Sequence, residues 1–287
     1  MKVLFELQNS LWAFDLQSTR YYSKIANQFL EGQFNAKSFG EKPEAISYLA
    51  NEYGDTITND SKKQNSTYAI VELIGPVTLY DTCSNYGAES IANRLNKYNN
   101  DDSVKGIILK TNTPGGAVPA INPFVDFASK KKKPVVALCD QALSLGEWAT
   151  DILADHKMAS NNISARFGSI GVVATFYGYK KALEMAGLEE HEVYSDLSDW
   201  KNKPIIEALE GNYDSLKSES LNPLALQFQN AVKENRPKLD LSIEGILNGR
   251  TFNADDALKY GLIDSIGNLQ DAIEMIDVLS EIKYNNN

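Results

Sequence analysis

Apolar runs of strand length alternate with helical segments through the middle of this chain, and this alternation limits its fold more than any other feature. The runs TYAIVELIG, VKGIILKTN and PVVALC have the length and the β-branched content of buried strands. Between them lie AESIANRLNKYNND and NPFVDFASK, which have the spacing of amphipathic helices. Strands that alternate with helices form parallel βαβ units whose sheet is covered on both faces. The sequence therefore predicts an α/β fold.

The two ends of the chain show other patterns and set the predicted domain boundaries. Residues 1–54 are predicted to form a mostly helical N-terminal extension, and the polar residues 55–66 a linker. Residues 67–280 are predicted to form the main domain, with a short strand at EHEVYS and a helical C-terminal region that includes SIEGILNG. Residues 281–287 are predicted to be a frayed tail.

Charge and cysteine content exclude several classes of protein. The formal net charge of −10 argues against binding to a nucleic-acid backbone, which usually requires a basic face. Cys83 and Cys139 are too few for a disulfide framework or a metal site, and Cys139 is predicted to be a small core residue. No window approaches ~18 apolar residues, so no membrane anchor is expected. The sequence predicts a cytoplasmic protein that needs no metal or organic cofactor.

The stretch TNTPGGAV follows the strand VKGIILK and contains the adjacent glycines Gly115 and Gly116. Two glycines before a helix let the backbone approach a ligand closely, and their N–H groups can stabilise an oxyanion. The other interpretation is an ordinary turn that needs Pro-Gly only for its backbone dihedral angles. The sequence alone leaves both interpretations open.

The stretch CDQALSLGEW places Ser144 between the strand PVVALC and a helix. A serine there is either an ordinary helix N-cap or a nucleophile near the unpaired N–H groups of the helix. In the second case, the backbone N–H of Leu145 would be an oxyanion donor. Glu147 lies about one helical turn from Ser144.

A serine nucleophile needs a base, and the chain has only two histidines. His156 and His191 lie in contexts typical of edge or surface residues rather than of an oriented Ser-His-Asp triad. Lys201 and Lys203 lie in the stretch SDLSDWKNKPII, next to apolar residues. A desolvated lysine can accept a proton from serine, although two solvated loop lysines are the other interpretation.

These stretches occur together and in order, and from about residue 67 to 277 the chain resembles the S49 peptidases, the signal-peptide-peptidase A or protease IV family. The resemblance rests on VKGIILKTNTPGGAV, KPVVALCDQALSLGEWATDILAD, FGSIGVVATFYGYKKALEMAG and GRTFNADDALKYGLIDSIGNLQDAIE. It implies a Clp/crotonase-like spiral of βαβ units with a helical C-terminal region.

The resemblance also implies roles for particular residues. Ser144 matches the family nucleophile, and the family's general base is a lysine some fifty residues further on, here Lys201 or alternatively Lys203. The Pro-Gly-Gly turn of the family supplies an oxyanion amide, which falls on Gly116. Ser169 matches a motif serine that hydrogen-bonds the lysine or shapes the site.

The chain departs from the family next to the nucleophile, where small residues are usual. Leu143, Leu145 and Glu147 stand there instead. A bulky residue at position 145 is expected to narrow the substrate pocket.

The resemblance implies a serine endopeptidase with a Ser-Lys dyad, and it is strongest to the family members of phages and prophages that mature the capsid or prohead. The expected partners are peptide substrates such as capsid or scaffold proteins, and further copies of the chain in a homo-oligomer. The expected location is the bacterial host cytoplasm or the prohead. Two alternatives are a catalytically inactive assembly protein of the same fold and a crotonase-type acyl-CoA enzyme, for which residues 130–133 are the only basic run.

Overall fold

A sheet with a parallel centre organises the protein in the computed structural model, which describes residues 12–14, 46–57, 67–82, 84–176 and 178–285. Its strands are β1 Trp12–Phe14, β2 Ser47–Ala50, β3 Thr67–Ile74, β4 Val104–Thr113, β5 Gly115–Ala117, β6 Val135–Leu143, β7 His156–Ala159, β8 Arg166–Gly168, β9 Thr251–Asn253 and β10 Ser265–Ile266. Apolar and β-branched residues dominate β3, β4 and β6, which explains why these segments form buried strands.

The main sheet has the strand order β10-β7-β6-β4-β3-β2. All neighbouring pairs from β3 to β10 are parallel, whereas β2 adds to β3 as an antiparallel edge strand. β8 pairs parallel with the last three residues of β6, and β9 pairs antiparallel with β8. The central strands therefore confirm the predicted parallel βαβ units.

Helices connect the strands and form the C-terminal region. They are α1 Ala88–Asn99, α2 Asn122–Ser129, α3 Leu145–Leu153, α4 Lys180–Met185, α5 Lys203–Leu209, α6 Asn222–Asn235, α7 Ala254–Tyr260 and α8 Leu269–Asn285. A short helical turn at Asp214–Leu216 and a π-helical turn at Lys217–Leu221 precede α6. In the part of the chain that the structure describes, no helix is long and apolar enough to cross a membrane.

Both faces of the sheet are covered, because successive side chains of a strand point to opposite faces. One face packs against α1, α2 and α3, and α6 joins this layer through the stacked rings of Trp148 and Phe228, whose centroids lie 4.7 Å apart. The other face packs against α8 through Ala272, Ile273 and Ile276. This layered arrangement confirms the α/β fold, and Cys139 is fully buried in it, as predicted.

Several local predictions differ from the structure. Residues 47–50, within the predicted helical extension, form the edge strand β2, and residues 12–14 form β1; the helix predicted over STRYYSKIANQFLEG lies outside the described residues. The predicted frayed tail starts at 281, but α8 continues to Asn285. EHEVYS forms no strand and SIEGILNG forms turns rather than a helix. Val193 in EHEVYS is 93% exposed, and no strand among the described residues pairs with this segment.

Candidate active site

The ends of two neighbouring parallel strands bring the candidate nucleophile and the glycine turn together. β4 and β6 pair in a register that places Thr113 opposite Ala142. The glycine turn follows Thr113, and Ser144 follows Ala142 by two residues. A Cβ atom on Gly146 would lie 2.3 Å from Thr113 Cγ2, so the first turn of α3 packs directly against the end of β4. Both features therefore lie at the carboxyl edge of the sheet, where open α/β sheets bind their ligands.

The two glycines of the turn are required for different reasons. Gly115 has a φ of +113°, which residues with a side chain rarely adopt. A Cβ atom on Gly116 would lie 1.9 Å from the carbonyl oxygen of Val77. The N–H of Val77 donates to the Gly115 carbonyl, and the N–H of Ala117 donates to the Val77 carbonyl, both at 2.9 Å. The turn thus combines a special dihedral angle with a close backbone approach, so Pro-Gly dihedral preference alone does not explain it.

Ser144 lies between β6 and α3 with a strained backbone of positive φ, at φ 54° and ψ −116°. Its side chain makes no capping hydrogen bond to α3, so the interpretation as an ordinary helix cap is wrong. The Oγ atom instead points to the carbonyl oxygen of Gly171 at 3.5 Å, and the N–H of Ser144 donates to the Gly168 carbonyl at 2.9 Å. A strained residue at a strand–helix junction, whose hydroxyl makes only this one long hydrogen bond, is typical of a functional position.

Leu145 follows the serine as the first residue of α3. The first N–H groups of a helix have no acceptor within the helix, so the Leu145 N–H is a candidate oxyanion donor. The Leu145 side chain is fully buried in the hydrophobic core. The expectation that it narrows the substrate pocket is therefore wrong, because the side chain packs into the core instead.

Ser169 lies beside Ser144 in a second turn of unusual backbone geometry. Gly168 has a φ of +100° and Ser169 has a φ of 57°. The pairing of β6 with β8 places Gly168 opposite Leu143, and the N–H of Ser169 donates to the Arg250 carbonyl at 2.8 Å. The structure thus brings Ser169 to the same sheet edge as Ser144.

A buried cluster of charged side chains lies between α3 and β7, next to the turn at Gly168. The Nζ atom of Lys157 is 2.7 Å from Glu147 Oε1 and 2.8 Å from Asp151 Oδ1. All three side chains are buried, with Glu147 at 0% exposed. The other carboxylate oxygen of Glu147 accepts the N–H of Gly168 at 3.2 Å. The cluster therefore ties α3 to β7 and to the turn that holds Ser169.

The cluster contains two carboxyl groups and one ammonium group, so one excess negative charge would be buried if all three were ionised. Burial raises the pKa of Glu147 to about 7 and also raises the pKa of Asp151. Burial lowers the pKa of Lys157, but the carboxylates of Asp151 and Glu147 outweigh this effect, so that the pKa is raised overall. Lys157 therefore keeps its proton and is unsuited to act as a base.

Sequence reasoning missed this cluster, although two signals were present. Glu147 and Asp151 are four residues apart on a helix, so their side chains share one face. Lys157 lies in the short strand β7, whose next two residues are buried. A charged residue in such a strand needs a buried partner.

The two candidate base lysines lie in an exposed segment. Lys201 is exposed in a turn, and its N–H donates to the Ser198 carbonyl at 3.0 Å. Lys203 begins α5, and its Nζ atom lies 4.2 Å from the ring centroid of Trp200. Among the described residues, neither lysine forms a hydrogen bond with the Ser144 hydroxyl.

The histidines have local partners, as expected for edge and surface residues. The Nε2 atom of His156 lies 2.8 Å from the Ser265 hydroxyl, and burial lowers the pKa of this histidine. His191 is exposed, and its ring lies 3.6 Å from the carboxylate of Glu189.

Known proteases are similar to this chain over most of its length. Protease 4 of Salmonella typhi is 27% identical over 253 residues, which are 86% of this chain and 40% of that protein. Capsid assembly protease C of Escherichia phage lambda is 25% identical over 275 residues, which are 89% of this chain and 61% of that protein. The chain thus spans less than two thirds of the length of either relative. A solved structure of a membrane-bound stomatin-specific protease with a substrate peptide superimposes at a TM-score of 0.44 and 16% identity, covering 72% of this chain and 77% of that chain.

The family profile that matches the chain covers the strand that precedes the serine, the serine itself, the charged cluster and the C-terminal helices. It spans residues 128–283, which is more than half of the chain, and describes peptidase family S49. The chain therefore belongs to peptidase family S49.

Proposed function

We propose that this chain is a serine endopeptidase with Ser144 as its nucleophile. The observation that carries the proposal is Ser144 at the end of β6, which has a positive φ. Its hydroxyl does not cap α3 and lies at the same sheet edge as the Gly115–Gly116 turn. Membership of family S49 and the similarity to two named proteases support the same conclusion.

In the proposed reaction, a neutral lysine removes the proton from Ser144 Oγ, and the oxygen attacks the carbonyl carbon of a peptide bond. The N–H groups of Gly116 and Leu145 stabilise the negative charge that moves onto the carbonyl oxygen. The protonated lysine then gives its proton to the departing amine nitrogen as the C–N bond breaks. Water, deprotonated by the same lysine, attacks the acyl ester and regenerates the serine.

We assign the base to Lys201, with Lys203 as the alternative, and infer that a second copy of the chain completes the site. The segment that carries these lysines exposes large apolar side chains: Met185 is 82% exposed, Val193 93% and Leu197 94%. Apolar side chains in such numbers on one segment mark an interface. Packing against a second copy would remove water from the lysine, which favours the neutral form that accepts a proton.

The proposed substrates are capsid or scaffold proteins of a phage or prophage. The similarity to capsid assembly protease C of phage lambda, which extends over 89% of this chain, supports this class. Such a protease would act in the cytoplasm of the bacterial host or in the prohead.

Contacts of the basic run argue against the acyl-CoA alternative, which would need free cations for the phosphates of coenzyme A. Lys131 Nζ donates to the Leu153 carbonyl at 2.9 Å, and Lys133 Nζ donates to the Val104 carbonyl at 2.6 Å. These lysines tie the end of α2 to neighbouring segments instead. An inactive assembly protein of the same fold is the remaining alternative, and the experiment below distinguishes it.

The proposal is tested by co-expressing the chain with candidate capsid and scaffold proteins and recording the intact masses of all products. We expect fragments with the wild type that disappear with Ser144→Ala and persist with Ser218→Ala, a control at an exposed serine. Identical fragments in all three samples would refute Ser144 as the nucleophile. Normal assembly without any Ser144-dependent fragment would favour the inactive assembly protein.

The base is tested with Lys201→Ala and Lys203→Ala, with Lys180→Ala as the control in the same exposed segment. We expect cleavage to be lost only with Lys201→Ala. If the lysine comes from a second copy, co-assembly of Ser144→Ala chains with Lys201→Ala chains restores cleavage that neither variant shows alone. No recovery in mixed oligomers would show that serine and lysine belong to one chain.

A further inference from the structure

A short strand from the N-terminal part of the chain lies along the glycine turn of the candidate site. β1 pairs antiparallel with β5, so that Ala13 lies opposite Gly116, with Trp12 opposite Ala117 and Phe14 opposite Gly115. β5 is the strand that contains the proposed oxyanion donor. The chain thus places one of its own extended segments where the reaction would occur.

The register shows which backbone groups β1 occupies. Val77 already binds the carbonyl of Gly115 and the N–H of Ala117 on one side of β5. Because successive backbone groups of a strand point to opposite sides, the N–H and carbonyl of Gly116 are directed to the other side. That side is where β1 pairs, so Ala13 and Gly116 form the position at which antiparallel strands exchange two hydrogen bonds. The N–H of Gly116 is therefore occupied by β1.

The buried position of the candidate site is consistent with a β5 edge that β1 occupies. Ser144 is only 1% exposed, and Gly115, Gly116 and Ala117 are buried as well. A serine nucleophile must contact the carbonyl carbon of its substrate. A peptide can reach Ser144 only if the groups that cover it move away.

We propose that the edge of β5 is a strand-addition site for an extended peptide and that Trp12–Phe14 is its resident occupant, which a substrate must displace. This proposal rests on the proposed peptidase function and adds to it the binding mode of the substrate and its internal competitor. Strand addition takes its affinity from main-chain hydrogen bonds, which any extended peptide can form. The turn of β5 leaves one edge open for such bonds, and β1 fills it.

The first test needs no catalysis, because it measures hydrogen exchange of the Gly116 amide in full-length chains that carry Ser144→Ala. Ala13→Pro removes the N–H that donates to the Gly116 carbonyl and thereby releases β1 from β5, which also frees the Gly116 N–H; Ala13→Ser keeps the N–H and is the matched control. We expect exchange of the Gly116 amide to become about tenfold faster with Ala13→Pro and to stay unchanged with Ala13→Ser, as the loss of one or two backbone hydrogen bonds implies. Unchanged exchange with Ala13→Pro would overturn the proposal.

The second test measures competition, using fluorescently labelled β-casein as an unfolded substrate of the full-length protein with Ser144 intact. We expect Ala13→Pro to raise the cleavage rate at sub-saturating substrate about tenfold and Ala13→Ser to leave it unchanged. Faster exchange at Gly116 without faster cleavage would overturn the role of β1 as a competitor. If no variant cleaves in a Ser144-dependent way, the proposed peptidase function fails, while the exchange test still decides whether β1 occupies the edge.

Discussion

The buried ammonium group of Lys157 provides a direct test of what holds the candidate site in place. Lys157→Met keeps the length of the side chain but leaves Glu147 and Asp151 buried without their ion-pair partner. Removing one partner of a buried ion pair costs about 3–5 kcal/mol, because the remaining charge has no compensation. We expect Lys157→Met to lower the free energy of unfolding by this amount at pH 8, measured by urea denaturation.

The loss in free energy of unfolding caused by Lys157→Met should be larger at high pH than at low pH. In Lys157→Met the two remaining carboxyl groups can avoid the buried charge by binding protons. Protonation becomes easier as the pH falls, so the loss should be smaller at pH 5 than at pH 8. A loss that is equal at both pH values would show that the charges of Glu147 and Asp151 are not responsible.

An exposed ion pair in the same protein is a matched control. Lys130 Nζ lies 2.6 Å from Asp126 Oδ1, a shorter distance than in the buried cluster, but the two side chains are 61% and 60% exposed. Exposed pairs contribute about 0–1 kcal/mol, so Lys130→Met should change the free energy of unfolding by less than ~1 kcal/mol. A loss below ~1 kcal/mol for Lys157→Met as well would refute the argument that burial makes its ion pairs essential.

Three further predictions follow from single residues of the site. Because burial raises the pKa of Glu147 to about 7, the folded state binds more protons than the unfolded state, and stability falls as the pH rises from about 5 to about 7. Glu147→Gln should reduce this fall, measured by equilibrium unfolding at pH 5 and pH 8. In Gly116→Ala, the new Cβ atom would meet the Val77 carbonyl, displace the turn and lower the cleavage rate about 100-fold at unchanged circular dichroism. Ser144→Gly should be about 1 kcal/mol more stable than Ser144→Ala in urea denaturation, since glycine tolerates the left-handed backbone.

The alternation of strands and helices could be predicted because it depends on the residue pattern within each short segment. The segments of β3, β4 and β6 are continuous apolar runs, and each becomes a strand buried on both faces. β2 could not be predicted in the same way. It has four residues, and its partner β3 lies beyond a polar stretch of the sequence, so its pairing depends on a contact that no local pattern shows.

The placement of two features of the candidate site at one sheet edge could be predicted, because it follows from their positions along two strands. The Gly115–Gly116 turn and Ser144 each follow a predicted parallel strand, and parallel neighbours place their carboxyl ends together. The partnership of Glu147 with Lys157 could not be predicted, because it depends on how α3 packs against β7. Lys201 and Lys203 stay predictions, since their segment exposes apolar side chains that the described part of the chain leaves uncovered.

The charged residue at position 147 has a physical role in this chain. Ser144 holds a strained backbone, and its N–H is bound by the Gly168 carbonyl. The N–H of the same Gly168 donates to the Glu147 carboxylate, and Lys157 holds that carboxylate in turn. An apolar residue at position 147 would leave the buried Gly168 N–H without this acceptor, at a cost of about 1–3 kcal/mol. Glu147 therefore connects α3 with the turn at Gly168, which in turn binds the N–H of Ser144. These contacts help to keep Ser144 in a strained backbone conformation.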